Sequence, residues 1–96
     1  MNNKQRNQLY TLDQLQQGDR FYKAEDKSKQ VCEVTGVIVD KHLNKVMTVY
    51  YVTQKEALKR NPNITANRKP QELNVIFLRN IDQAIINAVT KNSTPQ

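Results

Sequence analysis

Apolar residues fall along this chain in short bursts, and the densest burst is 31–52, which reads VCEVTGVIVD, then KHLNK, then VMTVYYV. β-Branched and aromatic residues dominate both apolar parts, and these fit pleated, half-buried surface best. Two strands joined by the polar loop 41–45 are predicted, with Asn44 the loop residue best suited to positive φ. In the first strand Cys32 and Val34 share a face, but Val37, Ile38 and Val39 are apolar in succession, so alternation breaks near Gly36. A bulge or sharp bend at Gly36 restores the pattern by changing which face points inward. A tight turn at Thr35-Gly36 is the poorer alternative, because β-branched Thr35 suits the positive φ of a primed turn badly. In the second strand Met47, Val49 and Tyr51 alternate with Val46, Thr48, Tyr50 and Val52. Both faces are partly apolar, which predicts a central strand or one with a helix packed behind it.

The same reading extends to either side. Residues 1–8 lack an apolar rhythm, are rich in Asn and Gln, and are expected to form a disordered tail. Thr11 with Gln14 makes a capping-box pattern, and Tyr10 with Leu15 a hydrophobic staple, so a helix of one to two turns should point Leu12 and Leu15 inward. Gly18 then ends that turn in a left-handed conformation. Residues 19–24 read as a strand with Phe21 and Tyr22 on opposite faces, followed by a charged hairpin loop at 25–29. A second capping box, Thr53 with Glu56, opens a short helix over 55–60, which Asn61-Pro62 stops. That helix has only Ala57 and Leu58 to bury. Residues 61–71 (NPNITANRKPQ) read as a long loop. Residues 72–79 form a last strand with Leu73, Val75 and Phe77 toward the core. Ile81, Ala84, Ile85, Ala88 and Val89 then recur at helical spacing behind a third capping box, Asn80 with Gln83.

These elements predict an α+β domain: a small antiparallel sheet of four to five strands, in its curled form an SH3-like roll, with short helices and a C-terminal amphipathic helix. The domain is placed at 9–90, between the tail 1–8 and a frayed segment 91–96. Ninety-six residues leave no length for a second core.

Charge changes this picture in one respect. The formal net charge is +6. Residues 1–40 and 70–96 are each balanced, so the whole excess lies in 41–69. There Lys41, Lys45, Lys55, Lys59, Arg60, Arg68 and Lys69 face Glu56 alone. Such concentration points to a polyanion or an acidic partner, although a solubilising loop has the same composition. One cysteine excludes an internal disulfide framework, and the polar start has no apolar core of a signal peptide. A cytoplasmic protein that does not enter membranes is therefore the expectation.

Candidate chemistry is mostly defined by what is missing. Gly18 and Gly36 stand alone, so there is no glycine-rich phosphate loop. A single His42 and a single Cys32 cannot assemble a zinc-ligand set, and no cofactor or metal is expected. Cys32 reads as a small core hydrophobe, with a Cys32–His42 dyad left open. The acidic residues are dispersed, and the sequons at Asn63 and Asn92 are taken as chance matches in an Asn-rich chain. No catalytic constellation is recognisable, so the chain is expected not to be an enzyme.

Two binding readings follow. In the first, Lys55, Lys59, Arg60, Arg68 and Lys69 contact nucleic-acid phosphates, with Lys55 and Lys59 on one helix face. Tyr50, and with it Tyr22 and Tyr51, offers rings for base stacking. In the second, the half-apolar sheet face around Val46, Tyr50 and Val52 docks a protein, either an acidic partner steered by the basic segment or a second copy in a homo-oligomer.

Overall fold

The computed structural model describes residues 4–81. They form one antiparallel sheet of six strands. In chain order these are β1 (Leu9–Thr11), β2 (Asp19–Lys23), β3 (Cys32–Asp40), β4 (Lys45–Thr53), β5 (Thr65–Asn67) and β6 (Asn74–Asn80). A 3-10 turn, Leu12–Gln14, follows β1, and a four-residue helix α1, Gln54–Ala57, follows β4. The spatial order is β1-β6-β2-β3-β4-β5, so the first and last short strands are the two edges. Both edge strands escaped the sequence pattern, because three residues carry too little alternation to read. The expected helix over Ile81, Ala84, Ile85, Ala88 and Val89, the longest of the three behind the α+β expectation, lies from residue 82 onward outside the described residues.

The sheet is curled into a half-barrel, and three bulges explain how a nearly continuous apolar pattern can bend it. In the β3–β4 pair Val34 lies opposite Tyr51 and Gly36 opposite Tyr50, so Thr35 is the extra residue. Cys32 and Val34 therefore face the core before the bulge, and Val37 packs against it afterwards. The break expected at Gly36 is there, but it is made without left-handed backbone, since Gly18 alone among the glycines has positive φ. Farther along, Ile38 lies opposite Thr48 and Val39 opposite Val46, which leaves Met47 extra. That second bulge corrects the expected facing: Val46 packs against the core, while Met47 is exposed. In the β2–β6 pair Phe21 lies opposite Phe77 and Arg20 opposite Arg79, leaving Leu78 extra. Each bulge increases local twist and bends its strand, which curls the sheet.

The core lies inside the curl. Phe21, Val34, Val49, Val75 and Leu12 are fully buried, with Leu15, Cys32, Tyr51 and Phe77 nearly so. Phe21 meets Tyr51 edge to face at 5.5 Å between ring centroids, and Tyr10 meets Phe77 at 6.2 Å. Leu12 and Leu15 enter from the 3-10 turn as expected, although the helix there is a single turn. Gln14 Oε1 accepts from the Thr11 N–H at 3.0 Å to fix it. The turn also ties the two edges of the sheet: the Leu12 N–H donates to Leu73 O at 2.9 Å and the Asp13 N–H to Pro70 O at 3.2 Å. Those acceptors lie in the segment that leads from edge strand β5 back to β6.

One end of the half-barrel is closed by a buried polar knot. Gly18, at φ 89°, donates its N–H to Val34 O at 3.0 Å and delivers Asp19 into the interior. The Asp19 carboxylate accepts from the Gln16 N–H at 3.0 Å and from Asn80 Nδ2 at 2.8 Å, with Lys4 Nζ 3.3 Å away. Asn80 Nδ2 also donates to Gln17 O. A buried carboxylate needs such partners, since an uncompensated one costs several kcal/mol. Residues 4–8, read from composition as part of a tail, take part in this packing. Besides Lys4, the Asn7 N–H donates to Phe77 O at 2.7 Å, and Gln8 O accepts from the Phe77 N–H at 3.1 Å.

Candidate functional site

The basic segment 41–69 runs through the β3–β4 turn, β4, α1 and the edge strand β5. Thr53 caps α1 with its hydroxyl accepting from the Glu56 N–H at 3.1 Å, while Glu56 Oε2 accepts from the Thr53 N–H at 3.3 Å. The capping box read from the sequence is present. It occupies the segment's one carboxylate and leaves the seven cations of the segment, all exposed, with no ion pair among the described residues. The helix ends sooner than expected, at Ala57 with Leu58 as its C-cap, so Lys55 and Lys59 do not share a helix face. Ala57 and Leu58 are not buried either; Leu58 is 86% exposed. Within the stretch 61–71, expected to be all loop, Thr65–Asn67 adds a strand to β4, with Ala66 opposite Tyr50.

That added strand decides how the candidate residues are arranged. Thr65 lies opposite Tyr51, beside the end of β4 that leads into α1, whereas Asn67 lies opposite Val49, toward the β3–β4 turn. Lys55, Lys59 and Arg60 therefore gather at the α1 end. Arg68 and Lys69 leave β5 at the other end, on the same side as Lys41 and Lys45 in the β3–β4 turn. About six residues of β4 separate the groups, or roughly 20 Å at ~3.3 Å per residue. Tyr50 stands between them, half-buried, on the outer face of the sheet beside Gly36. Tyr51 is turned inward onto Phe21 and is not available for stacking on a ligand, contrary to one sequence expectation. Tyr22 is half-buried.

The apolar outer face differs from expectation as well. Val52 is buried to 2% exposure, yet it lies outside the main core cluster. The short helix α1 buries none of its own residues. Ile38, Val39, Leu43 and Met47 are exposed together on the far part of the β3–β4 hairpin beyond the core, while Leu9, Leu58 and Ile64 are exposed elsewhere. An open groove of about 550 Å³ lies beside α1, lined by Ser28, Gln30, Val31, Gln54, Lys55 and Leu58.

The Cys32–His42 pair loses its geometry. Cys32 begins β3 and His42 lies beyond its end, so the strand holds them roughly 25 Å apart, given ~3.3 Å per residue. The open Cys32–His42 dyad is excluded. Cys32 is 4% exposed, and burial pushes its thiol above its ordinary value of 9.0, which makes it a poor nucleophile. Asp26 has its carboxyl held below the ordinary value by the Ser28 hydroxyl and by the Gln30 and Ser28 N–H groups, bonds that fix the loop between β2 and β3. No group of three or more His, Cys, Asp or Glu side chains among the described residues could hold a metal ion. No described helix is long and apolar enough to cross a membrane. No family model, no curated protein and no solved structure matches the chain.

Proposed function

We propose that this chain is a small binding protein, not an enzyme, and that it contacts nucleic acid through Lys55, Lys59, Arg60, Arg68 and Lys69, with Tyr50 between them. The observation that supports this reading is the unneutralised charge of the segment. Seven exposed cations lie in this segment, its own carboxylate Glu56 is spent on a helix cap, and none of the seven has an ion pair among the described residues. Two groups of cations about 20 Å apart along β4 suit an extended polyanion better than a compact acidic patch, because a backbone repeats its charge over that length. Binding through about four of these groups gives a slope of log K against log salt near −3 to −4. Exchanging Lys59, Arg60, Arg68 and Lys69 for Ser abolishes that binding and leaves unfolding unchanged. Failure of the wild-type chain to bind single- or double-stranded DNA or RNA at low salt removes the reading.

A second reading rests on Ile38, Val39, Leu43 and Met47, exposed together on the hairpin. In it the hairpin docks a protein, either an acidic partner or a second copy of the chain. Sedimentation over a range of concentration tests the second-copy form; a dimer that Leu43→Ser dissociates supports it.

A further inference from the structure

A second cationic feature lies outside the segment just discussed, and its parts come from stretches that are electrically balanced in the sequence. Arg20 on β2 and Arg79 on β6 are register partners, directly opposite each other across the two strands. Like charges so placed destabilise a sheet. Arg6 is held beside them because Asn7 and Gln8 bond to Phe77 on the same β6 strand. Together with Val31, Gln54 and Leu78, the three arginines line one depression of about 180 Å³. Leu78 is the extra residue of the β2–β6 bulge, a device that re-aims side chains next to sites. Glu33 is the one carboxylate that pairs with any of the three among the described residues, 3.6 Å from Arg20 Nε. That nitrogen is buried and has no hydrogen-bond partner.

We propose that Arg6, Arg20 and Arg79 form an oxyanion site for a phosphate group. Guanidinium forks match the oxygens of phosphate in pairs, and the Gln54 amide adds a donor at the wall. Val31 and Leu78 keep water from one flank, which strengthens the charge-assisted bonds. The site goes beyond the basic segment yet adjoins it. Val31 and Gln54 also line the larger groove that Lys55 borders, so a phosphate held by the arginines sits next to that surface.

The test is an NMR titration of the full chain with sodium pyrophosphate, against sodium chloride at matched low ionic strength, following the Arg6, Arg20 and Arg79 signals. Saturable shifts beyond those from chloride are expected at these residues. The affinity should fall about tenfold or more in Arg6→Gln/Arg79→Gln, while the Lys59/Arg60/Arg68/Lys69→Ser chain retains it. Arg20 is left in place because it pairs with Glu33, so the double variant keeps the fold. A single-stranded oligonucleotide then distinguishes the phosphate's source. If the double variant flattens its salt slope by about 1.4, two phosphate contacts are lost and the site serves a nucleic-acid backbone. An unchanged slope with pyrophosphate binding intact in the wild type assigns the site to a small phosphate compound. No saturable shift beyond chloride, or equal shifts in the double variant, overturns the proposal, whatever becomes of the basic segment.

Discussion

The two ends of the β3–β4 hairpin show opposite uses of similar residues. At the base, Cys32, Val34, Val49 and Tyr51 are buried against Phe21 and Val75, and an aspartate is drawn inside and satisfied by three neighbours. At the far part, Ile38, Val39, Leu43 and Met47 are exposed, and lysines crowd the turn. Both parts are rich in β-branched and aliphatic residues, so hydrophobicity does not separate them. What separates them is whether other strands lie across the sheet to receive the side chains. The base has β2 and β6 beside it and the 3-10 turn beneath; β2 pairs with β3 only as far as Glu33 and then stops. Buried packing is therefore concentrated at one end and exposed apolar surface at the other.

The sharpest way to break that contrast is to truncate an apolar residue at each end. Phe21→Ala should cost about 3–5 kcal/mol, as for other fully buried rings, while Leu43→Ser should stay within about 0.5 kcal/mol; midpoints of urea unfolding measure both. Comparable losses at the two sites would mean that the hairpin tip is packed. Next in size, Asp19→Ala should cost about 3 kcal/mol, the low end for breaking a buried ion pair, because Lys4 keeps some access to water. An unchanged midpoint for that variant would show that the polar knot contributes specificity and no net stability. Thr53→Ala, at the base end of β4, should cost about 1 kcal/mol through loss of the α1 cap. Its effect on hydrogen exchange should be confined to α1 and the residues just after it. Smallest of all, Gly36→Ala should be neutral within about 0.5 kcal/mol, as for surface sites without special features. Its backbone has no positive φ, and an added Cβ meets Tyr50 Cδ2 at an ordinary 3.8 Å. A loss well above that would place strain in the bulge.

Much of the local structure was legible. The Thr53–Glu56 box, the Gly18 and Asn44 conformations, the inward facing of Leu12, Leu15, Val75 and Phe77, and the break near Gly36 all appear as read. Each depends on interactions within a few residues, or on strict alternation along one strand. The candidate site was legible as a composition but not as a shape. That Lys55, Lys59 and Arg60 part from Arg68 and Lys69 follows from β5 pairing with β4, and three residues leave no periodic trace of such a pairing.

By itself the sequence determined where the four longer strands and the turns between them fall, which residues could form a core, and that surplus positive charge is confined to 41–69. The tertiary structure alone decided the rest. It placed the extra residues at Thr35, Met47 and Leu78, because a bulge is defined by the register of two strands and not by either one. It drew Asp19 to Asn80, 61 positions away, and set Arg20 against Arg79 within stretches whose charges cancel on paper. Charge summed along a chain ignores distance, whereas the field at a surface depends on which groups the fold brings together.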